Sequence, residues 1–182
     1  MITVIAALAA VSAAGSHKQN ASLSSASRTP ASRASSGSGD CQSQDVAWAP
    51  AGEKHQEAFG TALKKVQDEN DQVAGDMQQG NSLTADTNSL AGDLGSLLGA
   101  IYDIKSDPPP SCIPGFAHDY SSAMDAFSNY GVDLTLMLGA LNEGNMTSAQ
   151  ADIALASAAQ SDGLAAMQSA LGDLNTYNAS ES

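Results

Sequence analysis

Cys41 and Cys112 are the residues of this 182-residue chain best suited to covalent chemistry. In a chain that carries an export leader, two cysteines read as one disulfide. A redox-active pair would need a Cys-x-x-Cys spacing or an activating neighbour, and the sequence has neither. Histidine is the other type with ligand chemistry. His55 and His118 fall near Glu53, Glu57, Asp103, Asp107 and Asp119 in the topology expected below. Metal sites in bundles are built from an inward Glu-x-x-His or from paired histidines. That spacing is missing, so no metal and no cofactor is expected. Gly-x-Ser-x-Gly, His-Glu-x-x-His and paired catalytic carboxylates are missing as well, and the chain reads as a non-enzyme.

Those residues need elements to position them, and hydrophobic spacing supplies four helices. The organising stretch is Asp107-Pro108-Pro109-Pro110-Ser111-Cys112-Ile113-Pro114, which stops one helix and starts the next. Helix 1 is expected over about 50–79, with Pro50 in its first turn and a stripe of His55, Phe59, Leu63, Val66, Val73 and Met77. Glu69 and Asn70 interrupt that stripe, and Gly80 closes the helix. Helix 2, over about 82–106, has an a/d-type seam of Leu83, Thr87, Leu90, Leu94, Leu97, Ile101 and Ile104. Beside it runs a row of Ala91, Gly95 and Gly99, which would let a neighbouring helix approach closely. Helix 3, over about 114–143, carries Phe116, Tyr120, Met124, Phe127, Leu134, Leu138 and Leu141. Helix 4, over about 147–177, opens with a Thr147/Gln150 capping box and carries Ile153, Ala156, Gln160, Leu164, Met167, Leu171 and Leu174. The fold class is all-α: an up-down-up-down four-helix bundle made of two helical hairpins, with a disordered N-terminal segment ahead of it. Cys41 lies 71 residues before Cys112, and stripe residues recur at offsets of 68 to 70. A duplicated hairpin and a simple sharing of helical phase both explain such offsets.

In that topology the starts of helices 1 and 3 lie at one end, each preceded by a cysteine, which favours a Cys41–Cys112 bridge. Most of the eight aromatic residues gather there too. The candidate ligand or partner end consists of Trp48, His55, Tyr102, Phe116, His118, Tyr120 and Tyr177. Two readings stay open: large rings filling a bundle that splays around the disulfide, or a pocket or docking surface.

Composition narrows the partners. The net charge is −13, divided as +2 over residues 1–40 and −15 over the rest. So acidic a body repels nucleic acid and anionic lipid, and nucleic-acid binding is excluded as an expectation. Residues 1–14 form an apolar run ending in small residues and read as a secretory signal peptide, although no Lys or Arg precedes the run. The run is too short for a transmembrane helix, so no stable membrane span is expected once the leader is removed. Residues 15–44 are Ser/Ala-rich and read as a flexible linker, with the bundle following over 45–178. The expectation is a secreted or cell-envelope binding module whose partner is an unknown protein or a small apolar ligand. The alternative is a carrier of a small apolar or metal-containing ligand at the disulfide end.

Overall fold

The computed structural model describes residues 38–180. The expected leader, residues 1–14, and most of the expected linker, residues 15–44, lie outside the described residues. Four α-helices make up the fold: α1 Ser38–Gln79, α2 Thr84–Ser106, α3 Pro114–Asn142 and α4 Met146–Ser180.

The two hairpin turns follow from one device used twice. Gly80 and Gly144 adopt φ of 69° and 73°, a left-handed conformation that only glycine takes without a Cβ penalty. The Gly80 and Gly144 amides donate to Met77 and Leu141, while the following asparagine amides reach back to Asp76 and Ala140. This 6→1 and 5→2 pair closes the last turn of each helix. Asn145 then serves the next helix as well, its side-chain oxygen accepting from the Ser148 amide at 3.1 Å. The cap of α4 is therefore Asn145 and not Thr147, because Asn145 is already held at the turn. Neither Asn81 nor Ser82 caps α2, whose N-cap position is Leu83.

Contacts along the helices give their directions. On α1 and α2, Gln72 bonds Asp86 and His55 meets Asp107, the residue just past α2. Lys105 pairs with Asp125, and Leu98 lies against Gly131, so α2 and α3 are antiparallel. Asp119 accepts from Ser169 and Phe127 lies on Gly163, so α3 and α4 are antiparallel too. Sequential helices are neighbours, whereas α1 and α3 run parallel and meet across the core through Phe59 and Phe127, with ring centroids 5.0 Å apart. Two of the pairs offset by 68 and 71 residues share a level of the bundle: Phe59 sits beside Phe127, and Cys41 beside Cys112.

The expected stripes of α2 and α3 are buried almost entirely, from Thr87 to Ile104 and from Phe116 to Leu138. Two features differ. First, α1 begins at Ser38 and not near Pro50, so residues 38–44 of the expected linker are helical and Pro50 lies inside the helix. Second, Gly95 and Gly99 of α2 have no atom within 4 Å of where a Cβ would stand, so no helix approaches that row. Close approach happens instead on α4. Ala149, Ala156 and Ala170 are at most 2% exposed, and buried Gly163 falls between them at the same seven-residue spacing. A Cβ on Gly163 would stand 3.0 Å from the Phe127 ring. Small residues on α4 make room for large rings on α3, a division of volume that a heptad seam requires.

Candidate functional site: the disulfide end

The corner is built by its prolines. Pro108 disfavours a helical Asp107, which sits at φ −126° and ψ 72° and ends α2. Pro114 opens α3, whose first turn has neither a side-chain cap nor an acidic residue. The Asp173 carboxylate of α4 occupies the space beside Gly115 that a side chain would need, and so places a negative charge at the α3 N-terminus, where the helix dipole favours it. Cys41, in the first turn of α1, is joined to Cys112 in the corner.

Trp48 is the keystone of this end. Its indole N–H donates to the Asp107 carbonyl at 3.1 Å. Its ring stands edge-on to Phe116 at 6.0 Å and to Tyr120 at 6.2 Å, both within the range of favourable aromatic pairs. Phe116 and Tyr120 in turn lie 5.5 Å apart. The ring also covers Gly52, where an added Cβ would come within 2.7 Å of two indole carbons. Gly52→Ala therefore has to push Trp48 aside. We expect it to cost about 1–3 kcal/mol as an overpacking change and to shift Trp48 emission to the red. Unchanged emission would show that the indole does not rest on Gly52.

Beneath the indole, Tyr120 is 1% exposed, and its hydroxyl is buried without a hydrogen-bond partner. Burial pushes its ionisation up to about 12 from an ordinary 10.0, and the Gln56 side chain, close enough to favour the ionised form but outside hydrogen-bonding geometry, opposes the shift. Tyr130 is also pushed upward, first by burial and then by the negative charge of Asp71. A folded value above the unfolded one means that the folded chain holds the proton more tightly. The Tyr120 contribution is thus intact below pH 10.0 and is lost as pH rises toward about 12. Tyr120→Phe removes both the unmatched hydroxyl and this alkaline sensitivity. It is expected to stabilise the fold by about 1 kcal/mol at neutral pH, a gain that urea unfolding at pH 7 and in the alkaline range would check. A loss at pH 7 would mean that the hydroxyl is bonded.

Of the seven residues expected at this end, Trp48, Phe116 and Tyr120 come together, and half-buried Tyr177 packs on the core. His55 approaches Asp107 at 3.5 Å. Tyr102, at 71% exposure, stands on the surface, and His118 is exposed as well. The rings therefore pack on one another around Trp48. Among the described residues, no group of three or more His, Cys, Asp or Glu gathers to hold a metal ion. Asp119 is instead buried and bonded by the Ser169 hydroxyl.

Sequence reasoning missed Gly52, Gln56 and the Asp107 carbonyl. The four-residue spacing of Trp48 and Gly52 signals the first, since residues so spaced share a helix face. A backbone acceptor carries no signal in sequence. Also unforeseen was a shallow groove of about 610 Å³ between α1 and α2, lined by Lys54, Thr61, Lys65, Ser96, Gly99 and Asp103 among others. Comparison with protein families, curated proteins and solved structures finds no match for the chain.

Proposed function

We propose that this chain is an exported, non-enzymatic binding module of the cell envelope or extracellular space, working through its disulfide end. The observation that carries the reading is the aromatic cluster of Trp48, Phe116 and Tyr120 with an unmatched hydroxyl at its base. Tryptophan and tyrosine, rings with polar handles, are enriched at binding surfaces, and Trp48 is the partly exposed member of the cluster. Export is supported by the Cys41–Cys112 bond, since disulfides persist in oxidising compartments. No described helix is long and apolar enough to cross a membrane. Residues with catalytic chemistry at this end have structural engagements: Asp119 holds Ser169 across α3 and α4, and His55 faces Asp107.

The test begins with protein purified from its native source in oxidised form. Native mass spectrometry and absorbance report any small molecule carried along, which would favour the carrier reading. Trp48 emission, the single tryptophan signal, then reports on a captured protein partner. Binding should weaken more on Trp48→Ala with Tyr120→Ala than on changes near Gly144. A genuine partner whose affinity responds only at the Gly80/Gly144 end would remove the disulfide end from consideration.

A further inference from the structure

Residues 38–49 of α1 run past the rest of the first hairpin. α2 ends at Ser106, and His55 already meets Asp107, so the chain upstream of that level has no α2 beside it. Pro50 falls just there, inside the helix. It has no amide hydrogen to donate to the carbonyl four residues back, and it disfavours a helical Ala49. The hydrogen-bond ladder is therefore interrupted between this stretch and the remainder of α1. On its own, a helix shorter than roughly 12–15 residues is marginal in water. The stretch is tied down by the Cys41–Cys112 bond, by the Trp48 indole on the Asp107 carbonyl, and by edge contacts on Phe116 and Tyr120.

What lies beneath is a ready-made surface. Phe116 is 3% exposed, Tyr120 1% and Ile113 6%. Trp48 stands edge-on to Phe116 and Tyr120, yet its one donor goes to Asp107 and the Tyr120 hydroxyl stays unmatched. The strap fits the socket incompletely.

We propose that residues 38–49 are a disulfide-latched strap, that reduction of Cys41–Cys112 frees it at Pro50, and that its withdrawal opens the Phe116/Tyr120 socket to a planar apolar ring bearing a hydrogen-bonding group. The proposal deepens the reading of this end as the binding end and rests on it. The opening step needs a dithiol reductant. One of its thiolates attacks a sulfur of the bridge, forming a mixed disulfide and releasing the other cysteine as a thiolate. Its second thiol then displaces the remaining cysteine. Two electrons and two protons pass to Cys41 and Cys112, and the reductant leaves as a disulfide. Oxidation by the reverse route shuts the strap. In the open state α1 starts at Pro50, the position where a first-turn proline is most at home.

The experiment compares the full chain with its bridge intact and after reduction by a phosphine, using hydrogen exchange resolved by mass spectrometry. Free indole is the probe, its binding followed by equilibrium dialysis. Amides over 41–49 should lose protection by at least about tenfold, as a locally opening unit does, while α3 remains protected. Trp48 emission should move to the red, and indole should bind the reduced chain and not the oxidised one. Cys41→Ser with Cys112→Ser should behave as the reduced chain without any reductant. Equal strap protection in both states overturns the latch. Loss of α3 protection together with the strap also overturns it, because the bridge would then be a staple for the whole bundle. A freed strap with no indole binding overturns the socket, while the binding function, tested on oxidised protein, stands or falls separately.

Discussion

Phe127→Ala should lower the unfolding free energy by about 4 kcal/mol, in the range measured for deleting a fully buried ring. Phe127 is 0% exposed, and three helices depend on it. It meets Phe59 of α1 at 5.0 Å and 62°, and it fills the space that Gly163 of α4 leaves open on the far side. Truncation leaves a cavity bounded by one rigid ring and one residue with no side chain, so little can collapse into it. For a chain of this size the melting temperature should fall by roughly 8–16 °C. A companion variant separates volume from contact. Gly163→Ala in the wild-type background overpacks, since its Cβ would stand 3.0 Å from the ring; in the Phe127→Ala background it fills vacated space and should recover part of the loss. Additive effects of the two changes would show that Phe127 and Gly163 do not share a site, because neighbours that do share one couple measurably.

That pair also shows where the sequence was legible and where it was not. The long apolar stripes of α2 and α3 could be read because their large residues recur at helical spacing, and burial follows spacing when every position in the stripe is big. The core face of α4 is written in small residues, Ala149, Ala156, Gly163 and Ala170. Alanine and glycine are also common on exposed faces, so their period is hard to tell from composition. Of the expected stripe, Ala156, Met167 and Leu174 are buried, whereas Ile153, Leu164 and Leu171 are half-buried. On α2 the reverse holds: Gly95 and Gly99 have the spacing of a close-approach row but face open space. Whether a small residue meets a helix depends on what stands across from it, and that is a tertiary fact. At the disulfide end the partners were legible because a bridge and a bundle topology constrain each other. The strap was not. Proline is a strong signal for a helix start, whereas the bond to Cys112 and the seating of Trp48, which hold the helix upstream of it, are tertiary contacts.

The bridge itself supports the other large prediction. Cys41→Ser with Cys112→Ser should lower the unfolding free energy by about 4 kcal/mol, the value that chain entropy gives for a loop of this length. The cysteines are 71 residues apart, and the closed loop contains all of α2 and most of α1, so the unlinked unfolded chain regains a large share of its freedom. The folded chain should lose little beyond the strap. Leu90, Leu97, Phe127 and Met137 are all 0% exposed, and Leu134 is 1% exposed. Their burial continues to drive α2, α3 and α4 together. Far-ultraviolet circular dichroism of the double variant at 20 °C should therefore fall only by the share of helix that residues 38–49 contribute, while thermal unfolding shifts downward by roughly 10 °C. Reduction of the wild-type chain should reproduce both changes, because it removes the same covalent link without altering any packed side chain. If the variant instead loses most of its helix, the four stripes are too weakly buried to stand alone and the bridge holds the bundle. If its melting temperature does not move, the unfolded chain is already compact enough to keep Cys41 near Cys112, and the loop that the bridge closes has little entropy to recover.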